Sequence, residues 1–210
     1  MGVLISIAMQ ILLISICFVA MFVLLNREVK VQQRQMEYII YGCSIANIGM
    51  LVEYLAKGVM EVAIIGRAVQ VMGMSVFCMA LLLLTAYVCS IKIPMPILLL
   101  LLVGGFFYTL FIFLDPYTHM FYSKMEMRST SWGVFCYTNA GLWEILFVLI
   151  GVLFPLVSCI IMIFYNALKS TNLLRKRDFL LMSIVYFVIL LVLELAYLKI
   201  FLLIKLRLYH

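Results

Sequence analysis

Charge is what this chain has least of: 11% of its 210 residues are Asp, Glu, Lys or Arg, against 68% in the apolar set. With a mean hydropathy of +1.24, that balance excludes a soluble globular domain and leaves a membrane protein. Catalytic patterns are missing too. There is no nucleophile-plus-base arrangement, no phosphate-cradling glycine loop and no HExxH, nor a polar domain to house one, so the chain is read as a non-enzyme that needs no cofactor. The six cysteines (Cys17, Cys43, Cys78, Cys89, Cys136 and Cys159) lack CxxC or metal-ligand spacing, which leaves no metal site and makes most of them small apolar packing groups. A net charge of +6 does not signal nucleic acid, because the bases are confined to short connectors, where anionic headgroups and the insertion machinery account for them. The first apolar run lacks the basic start and cleavage site of a secretory signal peptide, so it is a true span.

What remains is a succession of long apolar runs. Residues 3–25, 38–55, 63–90, 97–114, 142–165 and 179–198 are each apolar enough and of a length to cross a bilayer as a helix. The expected fold is therefore all-α: a polytopic transmembrane helical bundle of six spans, one domain over residues 1–210, with the lipid bilayer as its surroundings. Pro94 and Pro96 mark a tight, extended connection between the third and fourth spans, and Asp115-Pro116 ends the fourth. Gly42, Gly49, Gly66, Gly73, Gly104 and Gly105 are what close helix packing in lipid uses.

Orientation follows from the bases. Connectors after spans one, three and five hold Arg27, Lys30, Arg34, Lys92, Lys169, Arg175, Lys176 and Arg177, eight in all, whereas those after spans two and four hold Lys57, Arg67, Lys124 and Arg128, four in all. The positive-inside rule puts the N-terminus and the long connector outside a cell membrane.

That connector, residues 115–141, is the sizeable hydrophilic excursion of the chain. Apolar and polar residues alternate over Tyr122–Arg128, and a second stretch follows at Trp132–Tyr137 beyond a Ser-Thr-Ser turn; this predicts a small extracellular β-hairpin. Glu53, Lys57, Arg67, Glu144 and Glu194 lie within or at the ends of apolar runs, all in the outer leaflet. An ionisable group at membrane depth costs about 2.5–3.5 kcal/mol at a helix centre and raises a functional question. Local pairing, Glu53 with Lys57 one turn on, would satisfy some of them. The alternative is an outward-facing polar cavity between spans two, three, five and six, with Gln70 at similar depth and the long connector as its roof. A small-molecule ligand would meet Glu53, Arg67, Gln70, His119, Tyr122, Glu144 and Glu194 there.

The order of features resembles the N-terminal seven-transmembrane sensor region of bacterial histidine kinases and related diguanylate cyclases. The likeness rests on the basic connector after span one, Glu53, GRAVQVMG entering span three, AYVCSIKIP leaving it, and above all LDPYTHMFYS after span four. It carries over Glu53, Gly73, Pro116, His119, Phe121 and Tyr122. The resemblance implies a sensory input module that works as a homodimer and signals to a cytoplasmic kinase or cyclase domain. Members of that family continue into a seventh span, and the basic tail with Lys199, Lys205 and Arg207 is expected to begin such a connection. A small transporter or channel subunit is the competing expectation, although a permeation path would need polar groups through the midplane.

Overall fold

A computed structural model describes residues 2–25, 31–56, 58–118, 122–130 and 133–188. Four long helices come first: α1 (Gly2–Leu25), α2 (Val31–Leu55), α3 (Met60–Val88) and α4 (Met95–Thr118). Two strands follow, β1 (Tyr122–Thr130) and β2 (Gly133–Ala140), then α5 (Leu142–Phe147), a π-helical segment (Val148–Leu153) and α6 (Phe154–Lys169), which form one continuous rod. A last helix, α7, covers residues 173–188. Among the described residues five rods are long and apolar enough to cross a membrane, the make-up of a helical multi-pass membrane protein. The expected residues 189–198 of the sixth run, Glu194 with them, lie outside the described residues.

The centre of the bundle is α3, which packs against α2, α4, α6 and the π-helical segment. Its contact with α2 is set by glycine. Gly42 and Gly49 on α2 are seven residues apart, as are Gly66 and Gly73 on α3, a spacing that keeps small residues on one seam between two helices. A Cβ at Gly73 would fall on the Ala46 backbone nitrogen, and one at Gly66 would stand 2.7 Å from that of Glu53. The two backbones therefore touch. Gly42 faces Phe77, Ala46 faces Gly73, Gly49 faces Gln70 and Glu53 faces Gly66, which fixes the antiparallel register of the pair. The turn between them needs a left-handed residue, and Gly58 supplies it with φ 99°.

On the other side of α3, Ile64, Cys78, Leu81, Leu82, Ile112, Leu156, Cys159 and Ile163 form the apolar core. Thr85 and Tyr186 share a buried hydrogen bond of 3.0 Å that ties α3 to α7. The outward faces of α1, α4 and α6 expose Phe18, Phe22, Leu100, Phe106 and Ile161, as suits side chains that meet lipid tails.

Several helix ends differ from the sequence-based boundaries. α2 begins at Val31 instead of residue 38, where the Gln33 side-chain amide donates to the Leu24 carbonyl and so satisfies a group at the end of α1. α4 runs through Asp115-Pro116 to Thr118. A proline so near the end deprives one carbonyl of its helical donor and does not stop the final turn. α7 starts at residue 173 instead of 179 because Asn172 caps it: its Oδ1 accepts from the backbone N–H of Leu174 at 3.0 Å and of Arg175 at 3.4 Å.

The π-helical segment has a cause in sequence. Pro155 lacks an N–H and its ring crowds the preceding turn, so the rod widens just ahead of it. Phe154 donates to the Leu149 carbonyl, five residues back. One extra residue per turn rotates the helix face by about 100°. The buried positions register it: Phe147 and Val152 are five apart, whereas Leu156, Cys159, Ile163 and Ala167 follow at the usual three and four. The wide turn lets both halves of the rod face the same core.

The glycine seam predicts a contrast. Gly73→Ala should lower stability by about 1–3 kcal/mol through overpacking. Gly104→Ala, where an added Cβ meets nothing within 4 Å, should leave it unchanged or raise it by up to about 1 kcal/mol. Thermal unfolding of the purified protein in detergent measures both.

Candidate functional site

Because Glu53 lies opposite Gly66, the next residue of α3, Arg67, is held beside it. Arg67 Nη1 stands 3.6 Å from Glu53 Oε2. Glu53 thus pairs across the helix seam, and Lys57, its expected local partner, lies outside the described residues. The first turn of α5 brings Glu144, 7% exposed, to the same end of the bundle, within electrostatic reach of Arg67 and of Asp115. Asp115, near the end of α4, is 1% exposed.

Two aromatic pairs hold α4 against the α5 rod and so keep Asp115 near Glu144. Phe111 stacks on Trp143 at 6.3 Å between ring centres, and Tyr108 meets Phe147 edge to face at 4.4 Å. Aromatic pairs of this kind contribute about 0.5–1.5 kcal/mol beyond their burial.

Four helices thus contribute an ionisable side chain to one end of the bundle. Among the described residues the buried charged side chains are Glu53, at 8% exposure, Asp115 and Glu144, all at this end. Buried charges are tolerated where they pair, and removing one partner of such a pair leaves the other uncompensated.

Uncharged polar groups continue a short way into the bundle. Gln70 is one turn along α3 from Arg67, and its Oε1 is buried with no hydrogen-bond partner among the described residues. Asn47 on α2 donates to the Cys43 carbonyl at 2.8 Å and reaches Cys43 Sγ at 3.4 Å. On α1, Gln10 directs its amide nitrogen to Met50 Sδ at 3.7 Å, while its Oε1 is likewise buried without a partner.

The strands stand over this end. β1 and β2 pair antiparallel, with Glu126 opposite Tyr137, Arg128 opposite Phe135 and Thr130 opposite Gly133, and the register shifts between Tyr122 and Lys124. β2 packs on α2 and α3, and both strands pack on α5.

Of the residues expected at a binding site, the structure brings Glu53, Arg67 and Glu144 together and places Gln70 alongside. Tyr122 opens β1 opposite Ala140. His119 and Glu194 lie outside the described residues. Sequence reasoning missed Asp115, taken there as the end of a helix. The signal was available, since FIFLDPYT places an acid directly after an apolar run, the circumstance that drew attention to the other acids. Among the described residues no group of three His, Cys, Asp or Glu side chains is arranged to hold a metal ion. No family model, curated protein or solved structure matches the chain.

A double-mutant cycle tests the central pair. Arg67→Gln alone should cost about 3–5 kcal/mol, as for other broken buried pairs. Combining it with Glu53→Gln should recover part of that loss, with a coupling of about 0.5–3 kcal/mol. Chemical denaturation in detergent gives all four corners of the cycle.

Proposed function

We propose that the chain is a membrane-embedded sensory input module, and that the Glu53–Arg67–Glu144–Asp115 cluster is where an extracellular or membrane-soluble ligand acts. The observation that carries this reading is the convergence of four buried or half-buried ionisable groups, from four different helices, at the end of the bundle beneath the strands. A charged or strongly polar small molecule at this position would exchange partners with Arg67 or the carboxylates. It would thereby alter how α4 and α5 pack on the α2–α3 pair, a differential interaction able to shift a population between two bundle arrangements.

In the full reading the bundle has six spans, its N-terminus and the β-hairpin face the outside of the cell membrane, and the module acts as a homodimer on a cytoplasmic kinase or diguanylate cyclase domain. The charge pattern of the connectors and the likeness of LDPYTHMFYS and its neighbours to that sensor class support these points. A transporter or channel is the weaker reading. Beyond Gln70 the buried or half-buried hydroxyls described on α3 are Ser75 and Thr85, which offer little to a permeating ion.

Trp143, stacked on Phe111 and adjacent in sequence to Glu144, is a built-in reporter for a test. With the full chain in liposomes, externally added amines, amino acids and short carboxylates should include a class that changes tryptophan emission in the native protein. The change should be abolished in Glu53→Gln and Glu144→Gln, with membrane insertion intact. Flux of sodium, potassium or chloride above that of protein-free liposomes, lost in Glu144→Gln, would overturn the sensor reading in favour of transport.

A further inference from the structure

The wide turn ahead of Pro155 leaves main-chain carbonyls without a donor within the helix. The Ile150 carbonyl would ordinarily accept from Phe154, but the Phe154 N–H is directed to Leu149. The residue after it, Pro155, has no N–H at all. The Gly151 carbonyl loses its helical donor for the same reason, since that donor would again be Pro155. Two successive carbonyls are thereby released near the middle of the Leu142–Lys169 rod, about 10 Å along the helix from Glu144. Water is absent from the hydrocarbon around the bundle, so a main-chain group freed at this depth must find its partner inside the protein.

Ile150, Gly151 and Pro155 border a small, partly open pocket of about 20 Å³, whose remaining walls include Ser75, Met79, Leu101, Gly105, Tyr108 and Phe147. Its size suits one water-sized molecule, which needs at least about 10–15 Å³. Its chemistry also selects the occupant. The Ser75 hydroxyl donates to the Val71 carbonyl at 2.9 Å, so what it offers the pocket is oxygen lone pairs. The released carbonyls are acceptors as well. No carboxylate lines the pocket, which makes it a poor place for a bare cation.

We infer that the pocket between α3, α4 and the π-helical segment binds a single uncharged hydrogen-bond donor, a water molecule, which donates to the released Ile150 or Gly151 carbonyl and to Ser75. The bound water completes the hydrogen bonding of the wide turn and thereby stabilises the helical register that aims Glu144 at the charged end of the bundle. The site is separate from the proposed ligand cluster and does not depend on the sensor reading.

Solid-state NMR of the labelled full chain in bilayers, with magnetisation transferred from water protons, tests it. Transfer to the Ile150 and Gly151 carbonyls and to Ser75 should be several-fold faster than to Leu100 on α4 and Ile161 further along the same rod, both exposed positions. Pro155→Ala, which restores an amide donor, should abolish the fast transfer to the carbonyls. Ser75→Ala, which removes the hydroxyl the water is held by, should slow the transfer to the carbonyls several-fold. Glu144→Gln should leave it unchanged, which separates this site from the charged cluster. Native transfer no faster than at Leu100 and Ile161, or transfer at the native rate in either Pro155→Ala or Ser75→Ala, would overturn the assignment. If Pro155→Ala does not fold, Ser75→Ala decides alone.

Discussion

Backbone contact between α2 and α3 is the constraint from which the rest of the bundle is laid out. Four glycines and Ala46 bring two helices so close that a single methyl group added on the seam meets main-chain atoms. Such contacts replace the solvent-driven burial that holds soluble bundles together, because lipid tails are as apolar as the side chains they would compete with. The seam also sets a register, and the register puts the acid of one helix beside the base of the other. Glu53 and Arg67 are neighbours because Glu53 faces Gly66.

A second constraint works at right angles to the first. Every polar group within the hydrocarbon must be satisfied by the protein, and the chain concentrates its ionisable ones at one end, where the strands cover them. Below that end hydrogen bonds become local or isolated: Ser75 to Val71 on the same helix, and Thr85 to Tyr186 across to α7. The result, among the described residues, is a bundle graded along its axis, with its buried charges at one end and, toward the other, apolar packing supplemented by the Thr85–Tyr186 pair and the Gln33 bond to Leu24.

Much of this was legible in the sequence, for physical reasons that differ from residue to residue. Apolar runs announce helices because only a helix or a closed barrel satisfies its own backbone in lipid. Glu53, Arg67 and Glu144 stood out because an ion in such a run is costly, and the glycines because small residues permit close approach. Asp115 was hidden by its neighbour: an acid before proline looks like the end of a helix, and here the helix continues for one more turn. The hydrogen bond between Thr85 and Tyr186 joins residues 101 positions apart, and no local pattern reveals such a pairing. The wide turn was equally silent. Pro155 marks a disturbance, but whether a helix answers proline by bending, breaking or widening is decided by the surfaces it must meet.

That widening gives the rod a property a uniform helix lacks. The surplus residue, pinned just ahead of Pro155, offsets the α5 end, with Glu144 and Trp143, by about 100° around the rod axis from where an unbroken helix would put it, while α6 keeps its seat in the core.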